Sequence, residues 1–248
     1  MVGQEDSHIE VVGLGKRTAG RWILKGVDFR VPAGKIFGLL GPNGAGTTAC
    51  IRILATLDIP DRGEAKIAGL SVNEAADKIR KVIGYVPADS GFYPRLTVSE
   101  HLFFYAGIAG LGGSKAWDGP GPLLEMVGLG HRAGDTVDRL SRGQRQLLGV
   151  ARALVPDPEI ILLDEDASGL DPAGQAGFDA LIRQLGSAGK TVLVCSHDPA
   201  RVEALCTWVG ILAGGSVAAT GPIGEVGDPA AGGLGAAFDR LTATPVDG

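Results

Sequence analysis

The sequence predicts an α/β protein: a core on a mostly parallel sheet, an antiparallel β region near the start, and an inserted helical subdomain. Three observations predict it. The runs 35-KIFGLL-40, 82-VIGYVP-87, 159-EIILLDE-165 and 190-KTVLVCSH-197 are short, apolar and bounded by turn residues, as buried strands are. Segments with apolar residues at helical spacing separate them, which is how parallel strands are connected. Residues 9–31 instead read as two or three short strands joined by turns, and residues 96–130 read as helix interrupted by glycine.

In chain order, IEVVGL and WILKGVDFRV form the antiparallel region, and KIFGLL is the first core strand. It runs into a glycine loop, after which 47-TTACIRILATL-57 has helical spacing. Residues 60–70 read as a turn and a strand, residues 73–80 as a short helix, and VIGYVP as the next core strand. SEHLFFYAGIAGL and PLLEMVGL read as helices on either side of a loop at 112–122, and a third helix covers 144–155. A strand over 159–165, a helix over 172–188 and a strand over 190–197 follow, and the stretch after Ala213 reads as short strands and Gly/Ala/Pro turns.

Composition narrows the function classes. The 248 residues suffice for one large domain or a core with an insert, and 45% hydrophobic with 21% charged residues is ordinary for a globular chain. A formal net charge of −5 argues against a sequence-blind grip on nucleic acid, so no nucleic-acid partner is expected. No apolar run reaches the ~18–20 residues of a membrane span, and MVGQEDSHIEVV lacks the basic and apolar regions of a signal peptide. Cys50, Cys195 and Cys206 have no paired spacing and read as small buried residues, with neither zinc nor a disulfide expected.

The chemistry concentrates in a few stretches. In 38-GLLGPNGAGTTACIRIL-54, Gly41 and Gly46 bracket four residues in the layout G-x-x-x-x-G-K-[ST] of a phosphate loop. Glycines at 41, 44 and 46 let backbone amides approach phosphates, and the helix that follows adds partial positive charge. Thr48 stands where a magnesium-binding hydroxyl belongs, but Thr47 stands where the lysine should be. Alone, this loop is as well explained by a glycine-rich strand-to-helix turn. In 160-IILLDEDASGLDP-172, Asp164 and Glu165 end an apolar strand, where α/β folds place ligands. Asp164 suits a magnesium site and Glu165 the polarisation of an attacking water, although most such acid pairs are solvated strand ends. LSRGQ precedes them at 140–144, and His197 ends the next predicted strand.

Taken in order, these motifs resemble the ATP-binding subunit of an ABC transporter, of the export or multidrug type, across nearly all of residues 8–225. GPNGAGTT resembles the Walker A loop, LSRGQ the signature, IILLDE the Walker B strand, SGLD the D-loop and SH the switch histidine. The resemblance implies a P-loop NTPase core, a helical subdomain at about 89–155 and a tail over 226–248. It implies ATP and magnesium (Mg2+) as cofactors, held by Gly41, Asn43, Gly44, Ala45, Gly46, Thr47 and Thr48, with Asp164 and Thr48 on the metal and Glu165 and His197 as catalytic residues. It further implies a head-to-tail dimer with a second ATPase subunit, identical or different, in which Ser141, Arg142, Gly143, Gln144, Ser168 and Asp171 face the partner's nucleotide. An integral membrane permease subunit would complete the assembly, placing the chain in the cytoplasm, peripheral on the inner face of the cell membrane.

Three positions depart from the family pattern, all at one nucleotide site. Thr47 replaces the lysine, Ala88 the glutamine that senses the γ-phosphate, and Thr18 the aromatic that stacks on adenine; Trp22 is close to Thr18 but at the wrong spacing. Loss of the lysine weakens binding and weakens hydrolysis more, because its charge matters most in the transition state. Glu165 and His197 persist, which argues for a residual role. The chain is thus expected to be an exporter ATPase subunit with an impaired loop, or a scaffolding pseudo-ATPase that supplies its signature to a partner. A nonmembrane role in translation or repair fits poorly, since one acidic cassette without coiled coils or zinc cysteines is present. The aromatic cluster Phe92, Tyr93, Phe103, Phe104 and Tyr105 reads either as a partner surface or as ordinary subdomain packing.

Overall fold

Two long strands, β1 (Ser7–Thr18) and β2 (Arg21–Pro32), open the fold as an antiparallel pair. Ala19 and Gly20 turn the chain between them at φ of 48° and 79°. The structure, a computed structural model, describes residues 7–88, 91–111, 118–164, 170 and 172–243. The strand β4 (Arg62–Ile67) pairs with the other edge of β1, and β5 (Leu70–Ser71) with β4, all antiparallel. Alternation buries Ile9, Val11 and Leu14 of β1 with Leu24, Val27, Phe29 and Val31 of β2, and Phe29 stacks on Phe37 at 5.4 Å.

Phe37 lies in β3 (Ile36–Leu40), the centre of a second sheet. The chain passes through α1 (Thr47–Leu54), α2 (Ala76–Ile79) and β6 (Ile83–Val86), then α3 (Val98–Ile108), α4 (Gly121–Met126) and α5 (Arg142–Leu154). It returns through β7 (Ile160–Leu163), α6 (Pro172–Ser187), β8 (Thr191–Ser196), α7 (Pro199–Leu205) and β9 (Trp208–Ala213). It ends with β10 (Ser216–Pro222), α8 (Ile223–Val226) and α9 (Gly233–Thr242). The sheet order is β10-β9-β3-β8-β7-β6, parallel except for the β10–β9 pair. The α/β class, the mostly parallel core, the N-terminal antiparallel sheet and the helical insert are therefore all present.

The sheet divides two apolar layers, as period-two alternation requires. Ile160 and Leu162 of β7 join α1 and the antiparallel sheet, whereas Ile161 and Leu163 face α5 and α6. All three cysteines are buried within these layers.

Several boundaries differ from the sequence reading, each for a local reason. Helix α1 stops at Leu54, and Thr56 reverses the chain at φ 59°. Helix α5 starts at Arg142 because Ser141 and Gln144 form a reciprocal capping box, Ser141 Oγ accepting from the Gln144 amide at 3.2 Å and Gln144 Oε1 from the Ser141 amide at 2.9 Å. After Ala213 the chain forms not only a strand but also helix α9, whose Leu234 is fully buried and whose first turn is tied down by Glu203, Oε1 accepting from the Leu234 amide at 3.2 Å. Three glycines and two alanine pairs, in 230-AAGGLGAA-237, mask that helix in the sequence.

His101 on α3 is fully buried, and neither ring nitrogen has a hydrogen-bond partner among the described residues. Its neighbours are the rings of Phe92, Tyr93 and Tyr105. Burial, and secondarily the Arg152 guanidinium, push its pKa down to about 4. The unfolded chain therefore binds this proton more tightly than the folded one, so the histidine's contribution to stability is lost as pH falls from about 6.5 towards 4. Denaturant melts across that window should fall less steeply for His101→Leu than for the native chain.

Candidate functional site

The glycine loop joins β3 to α1, and its shape follows from three glycines. A Cβ on Gly41 would lie 2.9 Å from both the Ala45 methyl and the Leu212 carbonyl oxygen. Gly44 and Gly46 sit at φ of 84° and 106°, where other residues are strained. Ala45 turns its methyl into the core, so only its backbone faces the loop interior. No side chain caps α1, and no acidic residue lies in its first turn. The amides at the head of that helix thus remain oriented for an anion.

Opposite the loop, β7 and β8 end side by side. Asp164 follows β7, is 4% exposed, and its amide donates to the Val86 carbonyl at 2.9 Å. Its Oδ2 accepts from the Tyr85 hydroxyl at 3.0 Å. Burial, and then the Asp164 carboxylate, push the Tyr85 hydroxyl above its ordinary pKa, so it remains a donor. At the end of β8, Ser196 is buried and its Oγ accepts from the Asp198 amide at 3.1 Å, while His197 just after it is exposed at the mouth.

These groups enclose one space. A cavity of about 80 Å³ is lined by Gly41, Asn43, Gly44, Thr47 and Thr48 on one side and by Asp164, Ser196 and His197 on the other. A second cavity of about 330 Å³ adjoins it through Gly44, Thr47 and Thr48 and extends past Thr18, Ile23, Arg52 and Asp58. A narrow acid-and-hydroxyl end opening into a wider one suits a metal-bound phosphate tail and its nucleoside. The donor set fits magnesium, a hard cation that takes hydroxyl and carboxylate oxygens: Thr48 and the buried Asp164 supply one of each.

Charge is what the site lacks. Among the described residues lining the two cavities, Arg52 is the sole lysine or arginine. Trp22 does not line either cavity; the Arg17 and Arg62 guanidiniums each lie 4.3 Å from its ring centroid, which engages the ring in cation–π contacts instead. Thr18 borders the wider cavity with no aromatic face to offer. Glu165, Ser168 and Asp171 lie outside the described residues.

Ser141, Arg142, Gly143 and Gln144 are absent from both cavities. Ser141 and Arg142 are exposed at the head of α5, where a cation in a helix's first turn opposes the macrodipole. Ala88 is exposed beyond β6. Beside β6 lies a groove of about 890 Å³, lined by Arg80, Lys81 and Tyr85, by Tyr105 and Ile108 of α3, and by Arg152 of α5. Of the aromatic cluster, Tyr93, Phe103 and Phe104 are exposed, with Tyr93 and Phe104 edge-to-face at 5.1 Å, whereas Phe92 packs on the core.

Sequence reasoning did not single out Tyr85, Arg52, Ser196 or Ile23. Tyr85 is the one polar-tipped residue in VIGYVP, a signal that was present; the others needed the fold to bring them to the loop.

Comparisons with known proteins bear on the family and the fold. A family model described as "ABC transporter" matches residues 24–168. The chain is 35% identical over 207 residues to the linearmycin resistance ATP-binding protein LnrL of Bacillus subtilis (strain 168), covering 84% of this chain and 65% of the relative. It is 37% identical over 191 residues to the Nod factor export ATP-binding protein I of Burkholderia lata, covering 77% of this chain and 63% of that one. The chain therefore spans slightly less than two thirds of the length of these curated relatives. A solved structure of an ATP binding subunit of an ABC transporter superposes with a TM-score of 0.80 at 28% identity, covering 95% of this chain and 98% of that chain. With its phosphate loop and strand-end acid on one cavity and its matched family model, this chain belongs to the ABC transporter family and carries that family's ATP-binding domain.

Proposed function

We propose that this chain is the ATP-binding subunit of an export-type transporter, with a weakened nucleotide site of its own and a working signature, Arg142 in place of its usual second glycine, that it presents to a second ATPase subunit. The observation behind this reading is the shared cavity of loop, Asp164 and His197. The loop amides bind the phosphates, Thr48 and Asp164 hold magnesium, and His197 contacts the terminal phosphate. Magnesium, when bound, supplies the charge neutralisation that phosphoryl transfer needs. Glu165 orients the attacking water. Thr47 gives neither the charge nor the reach of the usual lysine, so the turnover of this site is low.

Ser141 and the Gly143 amide, at the exposed head of α5, serve the partner's nucleotide, and Arg142 adds positive charge there. The groove beside β6 and the exposed aromatics of α3 receive the membrane permease. No helix among the described residues is long and apolar enough to cross a membrane; the permease is what holds the chain at the inner face of the membrane. The exported compound is read by the permease.

Thr47 also favours a second reading, a pseudo-ATPase that only scaffolds its partner. Sizing chromatography separates the two. With magnesium and ATP, the chain alone or mixed with a lysine-bearing sister subunit should elute as a dimer that ATP removal dissolves. A size indifferent to nucleotide in both mixtures would leave scaffolding as the function.

A further inference from the structure

We propose that Tyr85 is a positioning residue for Asp164, holding the carboxylate in the orientation that serves the metal; the inference rests on the reading of the cavity as a magnesium–nucleotide site. The acid is fixed from β6 at two points. The Val86 carbonyl accepts from its amide at 2.9 Å, and the Tyr85 hydroxyl donates to its Oδ2 at 3.0 Å. These two residues are neighbours on β6, the strand hydrogen-bonded to β7, so main chain and side chain of the acid are referenced to one rigid element.

The chemistry of the donor matters. A carboxylate has two oxygens, and a donor fixed on Oδ2 restricts rotation of the group while Asp164 stays part of the cavity that Thr48 lines. A lysine or arginine in that place would neutralise the acid and weaken its hold on a cation. A phenol donates without bringing charge. Tyr85 is also half-buried and packed against the apolar layer around α1, so its hydroxyl is delivered by an anchored ring. This is the arrangement by which an outer partner tunes a metal ligand.

The test is Tyr85→Phe, which keeps the ring and removes the donor. Binding of a fluorescent ATP analogue is measured without metal and across a magnesium titration, in the native chain and in a Thr47→Lys chain. Metal-free affinity should stay within about twofold, while the magnesium concentration for half-maximal tightening rises by roughly tenfold, the usual scale for loss of an outer partner. An unchanged magnesium requirement overturns the proposal, as does an equal loss of metal-free affinity, which would mark Tyr85 as merely structural. If only the native chain fails to bind nucleotide, the proposed function fails while the Thr47→Lys pair still decides the role of Tyr85. Binding in neither background overturns both.

Discussion

Replacing Thr47 by lysine should tighten ATP binding by up to about three orders of magnitude. Thr47 lines both cavities, at the head of a helix with no acid in its first turn. An ammonium about 4 Å from a phosphate charge interacts by about 4 kcal/mol at an effective dielectric near 20, or roughly three decades in a dissociation constant. The added side chain has room in the cavity of about 330 Å³ that adjoins the loop. Hydrolysis should gain more than affinity, because the cation opposes charge that grows in the transition state. Calorimetry gives the affinity, and phosphate release gives the turnover. Equal affinity in the two chains would show that the loop does not hold phosphate next to position 47.

Asp179→Ala should destabilise the chain far more than deletion of an exposed ion-pair partner does. Asp179 on α6 pairs with Arg201 on α7 at 2.9 Å, with side-chain exposures of 15% and 5%. Arg201 also lies 5.5 Å from the Phe178 ring centroid. Removing one partner of a buried pair leaves the other charge desolvated, at a cost of about 3–5 kcal/mol. For a chain of this size that lowers the melting temperature by about 6–20 °C. Asp77→Ala is the control: Asp77 pairs with Arg80 at the same 2.9 Å, but their side chains are 95% and 53% exposed. That change should cost no more than about 1 kcal/mol. Equal melting temperatures for the two variants would mean that the α6–α7 pair contributes no more than a surface one.

Most of the parallel core was legible in the sequence because its strands are uninterrupted apolar runs, which few other structures require. IFGLL and IILL are buried at every position. The phosphate loop was legible because its glycines are dictated by backbone geometry, and Gly44 and Gly46 do adopt positive φ. Helix α9 was not legible: its stability comes from Leu234 and Ala237 docking into the core, which local composition does not reveal. Nor was the Tyr85–Asp164 bond, since 79 residues separate the partners and only the β6–β7 register joins them. The fate of Trp22 depended in the same way on Arg62, supplied by a different strand.

Gly84 sits where β6 meets α5, and a Cβ there would lie 2.5 Å from the Ala153 carbonyl oxygen. Helix and strand touch backbone to backbone at this point, with no side chain between them to cushion movement. Helix α5, capped by Ser141, and strand β6, whose Tyr85 bonds Asp164, are therefore joined as one stiff lever, with Gly84 as its weld. The groove runs along the same weld, since Gly84 and Ala153 both belong to its wall. Under the proposed docking of a permease in that groove, a load applied there would arrive at Asp164 and at Ser141 together.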